Sequence, residues 1–374
     1  MLDSKKINCC CKYGGAGFFL LFIFLCFIGS FFSKAGKLSE NRVPTPFPSR
    51  LSLSFPADFE AYYQDNFPKR KSFIKKYNRL RISKFGINDR VILGKNNWYF
   101  YDSIKVDSDS DSVADFQGTN LYTPEKLKDV TDFFIGQIKE FEKYGAEVYV
   151  VFPPNKMTVY PEYMPDIYNG KQASFTAVDQ VTQELQKRGV KVLNLKQYLL
   201  ENKGDKWLYW RTDTHWNSYG AYLGYKKLME EISKNPKFKD MKPLEITQIS
   251  EQSRAVCGDL YNMLGTNEKC TEIDYSMTFN APLVAKCENI DREDIISCTA
   301  PGRKYKMLAI RDSFFASMLP LVADHFSHSM VYGRKYGHYP LVQEVMKNEK
   351  PDVVILEYLE RQVAKITHDI FKQK

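Results

Sequence analysis

The first pattern along the chain is apolar and unbroken. Residues 14–32 carry no charge and include Phe18, Phe19, Leu20, Leu21, Phe22, Ile23, Phe24, Leu25, Phe27, Ile28, Phe31 and Phe32. A hydrocarbon core about 30 Å thick needs about 20 helical residues to span it, so this run predicts a transmembrane helix. It is longer than the roughly 7–15 apolar residues of a cleaved leader. A Ser33-Lys34-Ala35 triplet still resembles a cleavage site, and cleavage stays open. Residues 1–13 then read as a cytoplasmic tail. Residues 33–50, rich in Ser, Pro, Lys and Arg, read as a tether.

Residues 51–120 read as a lead-in region. Residues 59–82 have a basic, helix-rich pattern. Val91-Ile92-Leu93-Gly94 and Trp98-Tyr99-Phe100-Tyr101 predict a hairpin around Lys95-Asn96-Asn97. The alternating Asp107-Ser108-Asp109-Ser110-Asp111-Ser112 lacks the Gly and Glu of a calcium loop, since Ser112 and Gly118 stand at those places. A solvated acidic loop is expected there.

From residue 121 the period alternates between helix and strand. Thr123-Pro124-Glu125 opens a helix, with Thr as cap and Pro in the first turn, that runs to about Tyr144 and stops at Gly145. Residues 147–152 are an apolar strand, 174–188 a helix and 191–195 the next strand. Later strands fall at 307–310, 329–332 and 352–356. Short apolar strands alternating with helices predict a parallel sheet covered on both faces, over residues 121–374. Residues from about 250 to 300 interrupt that rhythm and read as an insertion.

Charge and cysteines narrow the setting. Apolar residues make up 44% of the chain and aromatics 14%, enough to fill a core. The formal charge is +8, and residues 1–37 hold five Lys against one Asp, so half of the excess sits there. The remainder is too mild to argue for nucleic acid, and none is expected as a partner. Lys5, Lys6 and Lys12 precede the apolar run and Lys34 and Lys37 follow it; with the amino terminus this favours N-inside. Cys9, Cys10, Cys11 and Cys26 lie before or within the run. Cys257, Cys270, Cys287 and Cys298 cluster far downstream, which in an exported segment suggests two disulfides. Three connectivities are open, and neighbour pairing, 257–270 and 287–298, is the one expected. The rival zinc site lacks a C-x2-C pair, and no metal is expected.

Two loops carry candidate chemistry. In Thr212-Asp213-Thr214-His215-Trp216-Asn217, an Asp and a His two apart share a side only on extended backbone. Asp213 then holds the His215 imidazole in one tautomer. Ser218 is placed to cap a following helix that begins at Gly220-Ala221. In Leu308-Ala309-Ile310-Arg311-Asp312-Ser313-Phe314, a strand runs into a turn and a helix-like stretch. A Ser there sits near a helix N-terminus, whose N–H groups and dipole stabilise a developing oxyanion. Its hydroxyl needs an adjacent base. Of the five histidines, His325, His328 and His338 follow Ser313 and His368 lies near the C-terminus; only His215 has an acid placed like Asp213. Read on pattern alone, Ser313 is equally a helix cap and His215 a satisfied loop histidine.

The order of these blocks resembles the AlgJ/AlgX family of alginate O-acetylation proteins and the related DHHW-motif proteins, whose domain is SGNH-hydrolase-like. The resemblance covers about residues 38–360. It rests on Glu40-Asn41-Arg42, the 91–100 hairpin, and Pro154-Asn155-Lys156 with Tyr160-Pro161-Glu162-Tyr163. It continues through the 212–217 block with Gly220-Ala221, Gly258-Asp259-Leu260, Asp312-Ser313-Phe314, and residues 352–357 with Glu360-Arg361. Arg311 departs from it, standing where a Gly-Asp-Ser block has Gly. The chain ends soon after the last expected strand, as in the anchored members of the family.

The resemblance implies an α/β, flavodoxin-like sheet and an O-acetyltransferase with Ser313 as nucleophile, His215 as base and Asp213 as its partner, in an order permuted from ordinary SGNH hydrolases. It implies a polysaccharide acceptor, an acetyl donor supplied by a multi-pass membrane acyltransferase, no cofactor, and a catalytic domain anchored outside the cytoplasm. Trp216, Asn217, Arg311, Lys156 and Tyr160 are candidate substrate contacts. Trp98 is a sugar-stacking candidate or a core residue, and Glu360 with Arg361 a structural ion pair. A deacetylase with the same triad and a non-catalytic glycan-binding scaffold are the alternatives.

Overall fold

A computed structural model describes residues 4–32, 44–85, 88, 90–106, 110–264, 270–291, 295–333, 339–363 and 366. The chain divides into two compact units, 1–86 and 87–374, so the lead-in region is shared between them.

The first unit is helical: Ser4–Phe32, Phe55–Asn66 and Arg70–Phe85. In the first helix the side chains from Phe18 to Leu25 lie open. Phe27 meets Phe59 and Tyr63 at ring separations of 6.4 and 6.3 Å. Among the described residues no helix is long and apolar enough to cross a membrane, so the span expected over 14–32 lacks that support. The Ser33-Lys34-Ala35 triplet and Glu40-Asn41-Arg42 lie outside the described residues, as do Asp107, Ser108 and Asp109 of the acidic run, His338 and His368. The run's Asp111 caps the short helix Ser112–Gln117, its side chain accepting from the N–H groups of Val113 and Ala114.

The second unit opens on the expected hairpin. Strands β1 (Val91–Leu93) and β2 (Tyr99–Tyr101) pair antiparallel. Asn96 and Asn97 turn the chain with φ of 54° and 61°, a left-handed region that Asn tolerates well.

The remaining strands are β3 (Glu147–Phe152), β4 (Val192–Asn194), β5 (Ile246–Arg254), β6 (Glu272–Phe279), β7 (Lys286–Asp291), β8 (Ile295–Thr299), β9 (Lys306–Arg311), β10 (His328–Gly333) and β11 (Val353–Glu357). Seven of them form one sheet in the order β4-β3-β11-β9-β10-β8-β7, while β5 and β6 make a separate ribbon. From β4 to β10 neighbours run parallel; β8 and β7 join antiparallel. The sheet is therefore mixed rather than wholly parallel. The expected insertion supplies its last two strands, and the polar sequence of β7 (Glu288, Asn289, Asp291) hides its strand period.

Alternation along the central strands fills two layers. Tyr149, Val151, Met307, Ala309, Val353 and Ile355 face one core with the helices Ser218–Ser233 and Phe315–Ala323. Val148, Val150, Leu308, Ile310, Val354 and Leu356 face the other, with Pro124–Glu142, Ala177–Lys187 and Tyr339–Glu349. In the first of these three helices Val130, Phe134, Ile138 and Phe141 recur at helical spacing, and the Thr123 side chain accepts from the Lys126 N–H. The helix expected from 174 begins only at Ala177, because Thr176 and Asp179 close a capping box.

Candidate active site

The nucleophile candidate sits where the central strand β9 ends. Asp312 fixes the turn that follows. Its N–H donates to Glu357 Oε2 at 2.8 Å, and its carboxylate accepts from the N–H groups of Phe314 (2.9 Å) and Leu359 (2.7 Å). Ser313 is left exposed one residue before Phe314, the cap of the helix Phe315–Ala323. The Phe314 N–H is thus engaged by Asp312 and not free for an oxyanion; the dipole of the helix remains.

The second candidate loop, 207–217, comes back on itself. Tyr209 bridges Trp216 antiparallel, and the Trp210 N–H donates to the His215 carbonyl at 3.3 Å. The backbone bends at each residue from 211 to 215 rather than running extended as expected, and a turn in which Asp213 accepts the His215 N–H brings the two side chains together. Asp213 Oδ1 lies 2.6 Å from His215 Nδ1 and also accepts the His215 N–H at 3.0 Å. His215 Nε2 lies 2.7 Å from Ser313 Oγ. With its proton on Nδ1, beside the carboxylate, the imidazole presents a lone pair to the hydroxyl, the arrangement of a general base. Burial opposes charge on Asp213, yet the hydrogen bond and charge of His215 outweigh it and hold the carboxyl down at about 2.

Three side chains from distant parts of the sequence hold this loop. Lys156 is buried, and its ammonium donates to the carbonyls of Trp210 (3.0 Å), Arg211 (2.9 Å) and Asp213 (2.6 Å). Burial pushes its pKa down to about 7. The Glu272 carboxylate accepts from the N–H groups of Arg211 (3.1 Å) and Thr212 (2.6 Å), and from the Thr212 hydroxyl. Asp259 accepts the Thr214 N–H (2.7 Å) and hydroxyl (2.6 Å), while its own N–H donates to Asp213 Oδ2 at 2.8 Å. Burial first, then the Asp213 charge, pushes the Asp259 carboxyl up. Gly258 lies so close that an added Cβ would fall 2.4 Å from the Thr212 carbonyl oxygen and 2.5 Å from Asp213 Cβ.

Several expected contacts have structural roles instead. Trp216 is fully buried and donates its indole N–H to the Phe314 carbonyl at 3.1 Å, so no sugar can stack on it. Asn217, not Ser218, caps the helix Ser218–Ser233, its side chain accepting from Tyr219 and Gly220. Tyr160 is 2% exposed and its hydroxyl accepts the Leu208 N–H at 2.8 Å. Lys156 points into the loop backbone rather than toward an open surface. Trp98 is core, stacked on Tyr163 at 4.6 Å. Arg311 is half-buried beside Ser313, and its guanidinium reaches the Asp312 carbonyl at 3.3 Å. Glu360 accepts the Asn155 N–H at 2.7 Å and Arg361 donates to Asn155 Oδ1 at 3.1 Å; among the described residues no ion pair joins the two. Asn155, Lys156, Thr214 and Arg361 line a small cavity of about 10 Å³, room for about one water.

Both expected disulfides are present, Cys257–Cys270 and Cys287–Cys298, which removes the zinc reading of these thiols. The second joins partners of neighbouring strands β7 and β8. Ligand atoms of Asp213, His215 and Asp259 do lie within 4.8 Å of one another, as in a metal site. Nδ1 faces Asp213 Oδ1 at hydrogen-bond distance, however, which suits a shared proton better than an ion. Sequence reading missed Asp259 and Glu272 as loop supports. Asp259 had a signal, its place in a motif of the resemblance; Glu272 had none.

A family model described as the SGNH hydrolase-like domain of acetyltransferase AlgX matches residues 91–290, a span that includes Asp213 and His215 and ends before Ser313. Proteins described as probable alginate O-acetylase AlgJ are similar. The one from Pseudomonas syringae pv. tomato is 26% identical over 208 residues, covering 55% of this chain and 49% of its own length. The one from Pseudomonas aeruginosa is 24% identical over 211 residues, again 55% and 49%. The chain thus spans about half the length of the curated relatives it matches. Among solved structures, PatB1 of Bacillus cereus, captured with a sulfonyl adduct, superposes with a TM-score of 0.54 at 16% identity, over 77% of this chain and 99% of that one; this likeness concerns the fold. On the family match, which takes in more than half of the chain, this protein belongs to the SGNH hydrolase-like family of the AlgX acetyltransferase domain.

Proposed function

We propose that this protein is an O-acetyltransferase that moves acetyl groups onto an exported or cell-surface polysaccharide through an acetyl-Ser313 intermediate. The observation that carries the reading is the chain of short contacts from Asp213 through His215 to an exposed Ser313. His215 Nε2 takes the hydroxyl proton as Oγ bonds to the acetyl carbon, and the donor's leaving group departs with that proton. A sugar hydroxyl then attacks the acetyl-serine, giving its proton to His215, and the Ser313 hydroxyl is restored. Asp213 stays ionised and holds the imidazole as it gains charge.

The acceptor class is supported by the alginate O-acetylases among the relatives. A multi-pass membrane acyltransferase is the proposed donor, and residues 14–32 the proposed anchor, with the catalytic unit periplasmic or outside the cell. Support for that placement is the charge-free run, the lysines before it and two disulfides, which persist outside reducing compartments.

Exposure of Ser313 favours a second reading, an esterase in which water discharges the same intermediate. Discharge of the acetylated full chain decides between them. Transfer to an oligosaccharide acceptor supports the transferase; release as acetate, whatever acceptor is present, supports the esterase. In cells, Ser313→Ala should abolish O-acetylation of the glycan, and an unchanged O-acetyl content would refute the assignment.

A further inference from the structure

The Asp–His loop of residues 207–217 has no disulfide of its own, yet a disulfide closes directly over its back. Cys257 is followed at once by Gly258 and Asp259; Cys270 stands two residues before Glu272. From the first side, Asp259 takes both donors of Thr214 and gives its N–H to Asp213 Oδ2. The Gly258 N–H donates to Thr212 Oγ1 at 3.0 Å. From the second side, Glu272 takes the N–H groups of Arg211 and Thr212. The two carboxylates thus grip the loop on either side of Asp213, at Thr212 and Thr214, and the disulfide ties their two segments together.

This grip matters for orientation. Asp213 Oδ1 faces His215, and Oδ2 is held by the Asp259 N–H. Released at Oδ2, the carboxylate keeps only Oδ1, which the His215 N–H and Nδ1 share, and the fixed orientation of the pair is loosened. Contacts to backbone from Lys156 hold the loop in place but leave the Asp213 side chain free to turn.

We propose that the Cys257–Cys270 disulfide is a brace that sets the Asp213–His215 pair, with Asp259 as its positioning residue, so that the site becomes competent only once this bond has formed. The proposal rests on the triad reading above and adds to it a dependence on oxidation. A newly made chain in a reducing compartment would hold its serine without a set base, and the site would be switched on after export.

The second disulfide provides a matched control. Its sequence separation is 11 against 13, so removing either one loosens the unfolded chain to nearly the same degree. It lies across β7 and β8, at the far edge of the sheet. If Cys257–Cys270 only stabilises the fold, the two removals should look alike.

The test compares the full chain with its Cys257→Ser/Cys270→Ser, Cys287→Ser/Cys298→Ser and Asp259→Ala variants. One readout is the downfield proton NMR signal of the His215 Nδ1–H bound to Asp213. The other is the rate at which an activated acetyl ester modifies Ser313. Loss of the first disulfide should move or broaden the NMR signal and slow modification by about ten-fold or more, while loss of the second leaves both unchanged. Asp259→Ala, with both disulfides intact, removes the carboxylate that holds Thr214 and should change both readouts in the same direction. Equal behaviour of the two double variants would overturn the proposal. If the Cys257→Ser/Cys270→Ser chain does not fold, Asp259→Ala decides, and an unchanged signal and rate would overturn it. Should wild-type Ser313 take no label, the catalytic reading fails by itself, and the NMR signal alone still decides whether the brace exists.

Discussion

Trp216 donates its indole N–H to the carbonyl of Phe314, 3.1 Å away. These residues directly follow His215 and Ser313, so one buried hydrogen bond joins the base loop to the nucleophile turn. Their rings also meet, at 5.2 Å. Trp216→Phe keeps most of the packing and leaves the Phe314 carbonyl without that donor. It should cost about 1–3 kcal/mol of stability, the penalty of an unmet buried acceptor. It should also slow Ser313 acetylation without changing the fold. Thermal unfolding and the acetylation rate check both; a stable variant with the wild-type rate would contradict this account.

Lys156 offers three N–H donors to three carbonyls of the Asp–His loop. Lys156→Met fills the space but satisfies none of them. We expect a loss of about 3 kcal/mol or more and an activity loss of at least ten-fold. Denaturant titration gives the first and ester modification the second. If Lys156 instead touches substrate, Lys156→Met would raise KM and leave stability intact.

Gly258 stands where a side chain would collide with Thr212 and Asp213. Gly258→Ala must push the Asp–His loop outward, and overpacking of this kind costs about 1–3 kcal/mol. The larger effect should fall on the acetylation rate, because Asp213 moves. A wild-type rate would show that the loop tolerates the shift.

Asp213 has a consequence for pH. Its folded pKa, about 2, lies below an unfolded value near 3.9. A depressed carboxylate stabilises the fold above the unfolded pKa, and that stabilisation is lost as pH falls through the folded one. The contribution is about 2 kcal/mol, lost between about pH 4 and pH 2. The stability gap between chains with and without Asp213→Asn should shrink as pH falls across that window. A gap independent of pH would contradict the assignment of Asp213 as the ionised partner.

Much of this architecture was legible in the sequence, and the failures have physical causes. β3, β9 and β11 were readable because strands buried on both faces are continuous apolar runs. The Asp213-x-His215 pair was readable as an acid beside a histidine, but the expected extended backbone is a bend, closed by the His215 N–H donating to Asp213. The clustered cysteines pointed to two disulfides but left three connectivities open, and the structure has the neighbour pairing. The antiparallel edge was not readable, since β7 is polar and exposed at the sheet margin. Trp216 and Tyr160 were misread as sugar contacts, because an aromatic beside a reactive histidine has the same letter whether it faces solvent or core. Asn217 and Ser218 are both good caps, and only the backbone decides between them. Glu272 lies 57 residues beyond His215, and no local pattern ties a carboxylate to a loop that far away.

The central claim is that Ser313 is a nucleophile driven by His215. The most direct measurement is mass spectrometry of the full chain after exposure to an activated acetyl ester. The account predicts one acetyl group on Ser313, absent from Ser313→Ala and strongly reduced in His215→Ala. A folded chain that takes no acetyl at Ser313, or takes it equally without His215, would contradict it.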